Sequence, residues 1–303
     1  MTGSIHDAIT ADPPYQPPVP HPHHSACQRP SIEAFRHRAE VPMLITGGIL
    51  TATVIPLLIA FLLTDQAIPE WLMGALAGLS APFLAWAALI RWNYWKTIAN
   101  GVEITPRQLP EVYQVYSELA QEMGFGDAAG LNAIPQLYVV NGNGTINAFA
   151  SKCALSKAYI VINSDLLDLA TMYGDYHALR FVMAHELGHI RCRHVSLWRL
   201  LLIPVASLLY VNQSITRAQE YTADRVASYY VPDGAEAMIA LYAGKHVSRY
   251  IDMDAYFESV QRHEVSWWLR IVNLFADHAV GFRRLDALRQ TRTRGWDVHG
   301  RML

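Results

Sequence analysis

Residues 41–64 carry no charged side chain, and after a connector holding Asp65 and Glu70 a second uncharged run covers residues 71–90. A helix needs about 20 apolar residues to cross about 30 Å of hydrocarbon, so both runs are long enough. Both are apolar on every helical face, whereas a helix at the rim of a soluble core keeps a polar stripe. Trp71 at one end and Trp92, Tyr94 and Trp95 at the other suit the headgroup region, where amphipathic rings concentrate. Gly47, Gly48 and Pro56 are tolerated in bilayer helices and mark a kink or a close helix contact. The first run begins too late and runs too long for a cleaved signal peptide. Residues 41–95 are therefore expected to form a transmembrane hairpin with spans at about 41–64 and 71–90.

The flanks orient it. Arg29, Arg36 and Arg38 precede the first span and Arg91 and Lys96 follow the second, while the connector carries only acids. The positive-inside bias then puts both termini, and the domain that follows, on the cytoplasmic side, the plasma or inner membrane in a prokaryote. Three cysteines in 303 residues, none at a CxxC spacing, form no disulfide scaffold and agree with a reducing compartment. With 24 basic against 26 acidic side chains, the chain has no excess of positive charge for binding nucleic acid. Residues 1–40, rich in proline and holding His21, His23 and His24, lack hydrophobic periodicity and read as a disordered tail.

A folded domain is expected over 97–291, with a C-terminal tail at 292–303. Val112, Val115, Tyr116, Leu119 and Met123 recur at helical spacing within 110–125. Residues 136–140, 145–150 and 158–162 read as short strands, the first two joined by Asn141-Gly142-Asn143-Gly144. Ser164 caps a short helix and Asp175 a longer one through about His194, and residues 214–291 are mostly helical. The fold class is thus α+β.

His185-Glu186-Leu187-Gly188-His189 lies on the helix capped by Asp175. Histidines at i and i+4 stand one turn apart on one face, so their imidazoles can share a Zn²⁺, and Glu186 is placed to take a proton from a water that the metal activates. A catalytic zinc site needs a third protein ligand and an open position. Cys192 lies seven residues beyond His185, about 10 Å of helix, too far for both to hold one ion. Glu220 and Asp224 share a helix face; one can ligate while the other fixes an imidazole tautomer, or the pair can be an ordinary solvated acidic feature.

HELGH, followed about 30 residues on by an ExxxD helix and preceded by two apolar spans, resembles the HtpX-like family of membrane-associated gluzincin metalloendopeptidases, which includes the type I CAAX prenyl proteases. The similarity covers roughly residues 97–290. It implies one zinc ion per chain held by His185, His189 and Glu220, with Glu186 as general base and Asp224 as support for a ligand. It also implies a zincin-like, mainly helical catalytic domain whose small sheet offers an edge strand at Asn147, Ala148 and Phe149 to an extended peptide substrate. An edge strand has unpaired backbone groups to give. Asp277-His278, followed by Arg284-Leu285, is similar to the family's His-Pro…Arg segment, which makes His278 an oxyanion stabiliser. Ala279 stands where the family has proline, and His263 competes for the role.

A third apolar run, residues 200–211, lies between the two halves of the metal site. His189 and Glu220 must reach one ion, so the chain between them has to end on the side where it began; one crossing violates this, and two need about 40 residues. The run is expected to be a buried helix or one resting on the bilayer. The whole reads as a membrane-anchored zinc endopeptidase acting on membrane or membrane-proximal polypeptides, with the lipid bilayer as its other partner. A CAAX prenyl endopeptidase and a zinc-containing scaffold or chaperone-like protein without turnover are the alternatives.

Overall fold

The computed structural model describes residues 30–63, 69–126, 133–152, 157–174, 176–196, 199, 202–208, 210–232, 238–264, 266–276 and 281–302. Two long helices come first after a short one, α1 (Ile32–Phe35): α2 (Glu40–Leu62) and α3 (Glu70–Asn100). The domain proper follows with β1 (Gly101–Glu103), α4 (Pro110–Glu122), β2 (Gln136–Val140), β3 (Ala148–Lys152), β4 (Ala158–Asn163) and α5 (Ser164–Tyr173). Then come α6 (Tyr176–Arg191), α7 (Ile203–Leu208), α8 (Val211–Tyr230), α9 (Ala240–Val247), α10 (Met253–Glu264), α11 (Trp267–Phe275) and α12 (Gly281–Arg294). The architecture is mainly helical with one small mixed sheet.

That sheet has the order β1-β2-β4-β3, with β2 and β4 parallel and the outer pairs antiparallel. β4 is buried on both faces, which its run Tyr159-Ile160-Val161-Ile162 anticipates. Ile160 and Ile162 join the main core with α4, α5 and α6, while Tyr159 and Val161 meet Tyr138 and the Tyr94 and Ile98 side chains of α3. The last turns of α3 therefore cap the outer face of the sheet, and the helix passes into β1 without a linker. The expected boundary near residue 96 falls inside a continuous helix. β3 lies at the sheet edge as expected, but it begins at Ala148, because Asn143 and Gly144 turn at positive φ and Asn147 still belongs to the loop.

α6 and α8 form the centre. Both are buried along most of their length, and they pack against each other at Gly188, where an added Cβ would stand 3.2 Å from Val226 and 3.5 Å from the Ala223 Cα. Glycine here sets the spacing of the two helices. Gly188→Val is expected to push them apart at a cost of about 1–3 kcal/mol, read as a lower denaturation midpoint.

Part of the expected N-terminal tail is ordered. Residues 1–29 lie outside the described residues, but Phe35 is fully buried against Tyr229, Tyr230 and Trp296. Arg225 donates to the carbonyls of Ala34, Phe35 and Arg36, closing the end of α1. The C-terminal residues pack beside it: the Gly300 carbonyl meets His37 Nε2 at 3.0 Å, and Tyr221 donates to the Arg301 carbonyl. A buried aromatic side chain, together with the carbonyls that Arg225 holds, docks a segment whose composition is that of a tail.

Among the described residues, Glu40–Phe61 is the one helix that is apolar and long enough to cross a membrane. Its Gly47 makes the close contact expected, with Ala206, Val211 and Ile215 within 4 Å of an added Cβ, whereas Gly48 has open space. In the third apolar run, α7 has six residues, about 9 Å of helix, and packs against α2 and α8 with Val205 and Ala206 buried.

Candidate metal centre

α6 presents His185 and His189 on one face, one turn apart, and α8 brings Glu220 opposite them. His185 Nε2 and His189 Nε2 are 3.1 Å apart, and each lies 3.5 Å from a different oxygen of Glu220. Tetrahedral ligands at about 2.0–2.1 Å from zinc are about 3.3–3.4 Å from one another, so the triangle has the size of three corners of a zinc site. Nitrogen and carboxylate donors suit that metal. The three ligand atoms lie within 4.8 Å of one another.

The ring tautomers favour a cation as well. His185 Nδ1 is 2.9 Å from Asp224 Oδ1, so its proton belongs on Nδ1 and the Nε2 lone pair faces the triangle. Burial pulls the His185 imidazole down, but the bonds to Asp224 and Glu220 outweigh it and hold the metal-free ring up at about 9. A proton then stands in for the ion. Burial opposes ionisation of Asp224 too, and Arg284 and His185 overcome it, keeping the carboxyl below the usual range.

Arg284, from α12, gives two hydrogen bonds to Asp224, at 2.8 Å and 2.6 Å, and its Nη1 lies 2.9 Å from Glu220 Oε2. It is 7% exposed and joins the ligand and its support in one fork. The sequence offered Arg284 only as the tail of a loose motif, with no role.

A cleft of about 450 Å³ opens over the triangle. Its walls include Glu186, residues 146–150 of the edge strand and its approach, Tyr242 from α9 and Arg284. All of His185, Glu186, His189 and Glu220 thus face one cavity, and Asp224 stands behind it. Asn147, Ala148 and Phe149 border it, Phe149 with 42% of its surface exposed. His278 lies outside the described residues, as does the side chain of His263. Cys192 is buried and free, with its thiol pushed up to about 12 chiefly by burial, and stands apart from the triangle.

Residues 106–216 match peptidase family M48. A protease HtpX homolog of Aeropyrum pernix is 29% identical over 151 residues, 47% of this chain and 44% of that protein. One of Polynucleobacter necessarius is 22% identical over 245 residues, 67% of this chain and 79% of the relative. These matches support an HtpX-like M48 metalloprotease family for this chain. The plastoglobule-localized metallopeptidase 48 of Arabidopsis thaliana is 23% identical over 200 residues, 58% of this chain and 54% of the relative. The chain spans about half the length of the Aeropyrum and Arabidopsis relatives. No solved structure matches. A match to M48 implies a metal, typically zinc, and the His185-His189-Glu220 group fits one.

Proposed function

We propose that this chain is a membrane-anchored, zinc-dependent endopeptidase that cuts membrane or membrane-proximal polypeptides. The observation that carries the reading is the triangle of two imidazole nitrogens and one carboxylate opening into a cleft that also holds Glu186 and borders the edge strand β3. His185, His189 and Glu220 would hold the ion, leaving the cleft side open, whereas a structural zinc site closes with a fourth protein ligand. Zinc, when bound, supplies Lewis acidity toward a carbonyl and acidifies water.

The chain's own residues do the rest. Glu186 takes the proton of the attacking water and later delivers it to the leaving amine. Asp224 holds His185 in the tautomer that ligates, and Arg284 holds Asp224. Asn147, Ala148 and Phe149 offer the free side of β3 to an extended substrate, whose backbone adds to the sheet. His278 is the proposed donor to the oxyanion.

The bilayer reading rests on the two helices of residues 41–95, with the metallopeptidase domain at 97–291 on the cytoplasmic side. The exposed face of α11 supports it: Trp267, Trp268, Val272 and Phe275 are each at least half exposed, as in a helix lying at a lipid interface. Phe275 also meets Tyr210, next to the segment that packs on α2.

The test is metal analysis and casein cleavage by the full chain purified in detergent. One equivalent of zinc, with cleavage abolished by a chelator and restored by zinc, is the expected result. A folded, zinc-loaded chain without turnover would replace the peptidase by a scaffold.

A further inference from the structure

We propose that Glu40, the first residue of the apolar helix α2, is a positioning residue for the metal ligand His189 and acts on it through His194. The inference rests on the metalloprotease reading and concerns a part of the chain outside the HELGH and ExxxD motifs.

His189 Nδ1 lies 2.9 Å from His194 Nδ1, and His194 Nε2 lies 3.3 Å from Glu40 Oε1. His194 is 4% exposed and Glu40 is fully buried. The protons in this row are fixed by elimination. A carboxylate only accepts, and His194 Nε2 is buried 3.3 Å from Glu40 Oε1 with no hydrogen bond to any other described residue, so the proton of His194 belongs on Nε2. His194 Nδ1 is then a lone pair, which accepts the Nδ1 proton of His189. That leaves the His189 Nε2 lone pair aimed at Glu220 and His185, where a metal needs it.

The backbone is shaped for this contact. α6 ends at Arg191, and Arg193 takes a φ of +62°, a left-handed conformation that a side chain other than glycine adopts at a cost. The turn folds His194 back onto α6, where its N–H donates to the His189 carbonyl at 2.9 Å. Glu40 is itself held by two further partners. Arg36 pairs with Oε1 and also donates to the Cys192 carbonyl at the end of α6, and the Thr222 hydroxyl of α8 donates to Oε2. Thr222 sits between Glu220 and Asp224. Each histidine ligand thus has a carboxylate behind it, Asp224 directly for His185 and Glu40 through one imidazole for His189. In this arrangement the head of α2 is part of the metal centre.

The experiment uses the full chain in detergent micelles, with zinc affinity measured by chelator competition and ligand geometry read from the visible absorption of the cobalt-substituted protein. His194→Ala and Glu40→Ala are each expected to weaken zinc binding 10- to 100-fold, the usual effect of removing a group behind a ligand, and to shift the cobalt bands. Glu40→Gln, whose amide oxygen still accepts, is expected to lose only a few-fold, which guards against a folding defect in the alanine variant. Both groups act through His189, so the double alanine variant should bind no worse than the weaker single variant. Affinity within twofold of the native chain in folded Glu40→Ala, with unchanged cobalt bands, would overturn the proposal, as would losses that multiply in the double variant. A native chain that binds no zinc would remove the metalloprotease reading and this inference with it.

Discussion

Glu186→Gln is expected to lower kcat for peptide cleavage by about 10²- to 10⁴-fold, the range for loss of a positioned acid–base group, with zinc content unchanged. Glutamine keeps the size and polarity of the side chain and removes only its ability to accept a proton. Glu186 is one residue from a ligand but belongs to none of the three corners of the triangle. Metal binding and folding should therefore survive, and kcat/KM should fall in step with kcat while KM holds, the signature of an interaction made only in the transition state. Full activity in the zinc-loaded glutamine variant would remove Glu186 as the base.

The second large effect belongs to Arg284→Met. The substitution fills a similar volume but leaves Asp224, and one oxygen of Glu220, buried without their cation. Breaking a buried pair from one side costs about 3–5 kcal/mol, because the remaining charge has no compensation. The metal-free chain should lose that stability, seen as a lower denaturant midpoint. Added zinc should recover part of it, since the ion supplies positive charge beside the same carboxylates and binds only the folded form. Arg284→Lys should fall between the two: the charge stays, but a single ammonium cannot span both carboxylates as the fork does. Equal midpoints for the native chain and Arg284→Met would show the pair to be dispensable.

The parts of this site that could be read from the sequence are those that a single helix organises. His185 and His189 are one turn apart by construction, as are Glu220 and Asp224, and helix geometry turns each spacing into a shared face before any tertiary contact is known. Convergence of the two pairs needed a family resemblance, since nothing local says that α6 meets α8. Arg284 and Glu40 were out of reach for the same reason. Arg284 is one of five arginines in α12, and the partners that single it out lie 60 or more positions away. Glu40 stands at the border of an uncharged run, where nothing local singles it out; its burial comes from residues 194 and 222. β2 and β4 were legible from their apolar, β-branched runs, β3 shifted because turn residues at positive φ delay its start, and β1, three residues at the end of α3, was missed. Residues 30–40 were misjudged because composition reports what a segment lacks on average, whereas docking rests on particular partners, Phe35 in its aromatic pocket and Arg225 on the carbonyls of 34–36.

α3 has no joint between the uncharged residues 71–90 and the sheet that it caps. On the membrane reading, residues 91–100 add about 15 Å of helix beyond the lipid, and Tyr94 already touches the sheet within that length. A strut of this kind ties the sheet, and the edge strand it carries, to the end of that helix. The register of cutting would then be counted from the lipid surface, and a substrate would be chosen by how far it protrudes before it is chosen by its side chains.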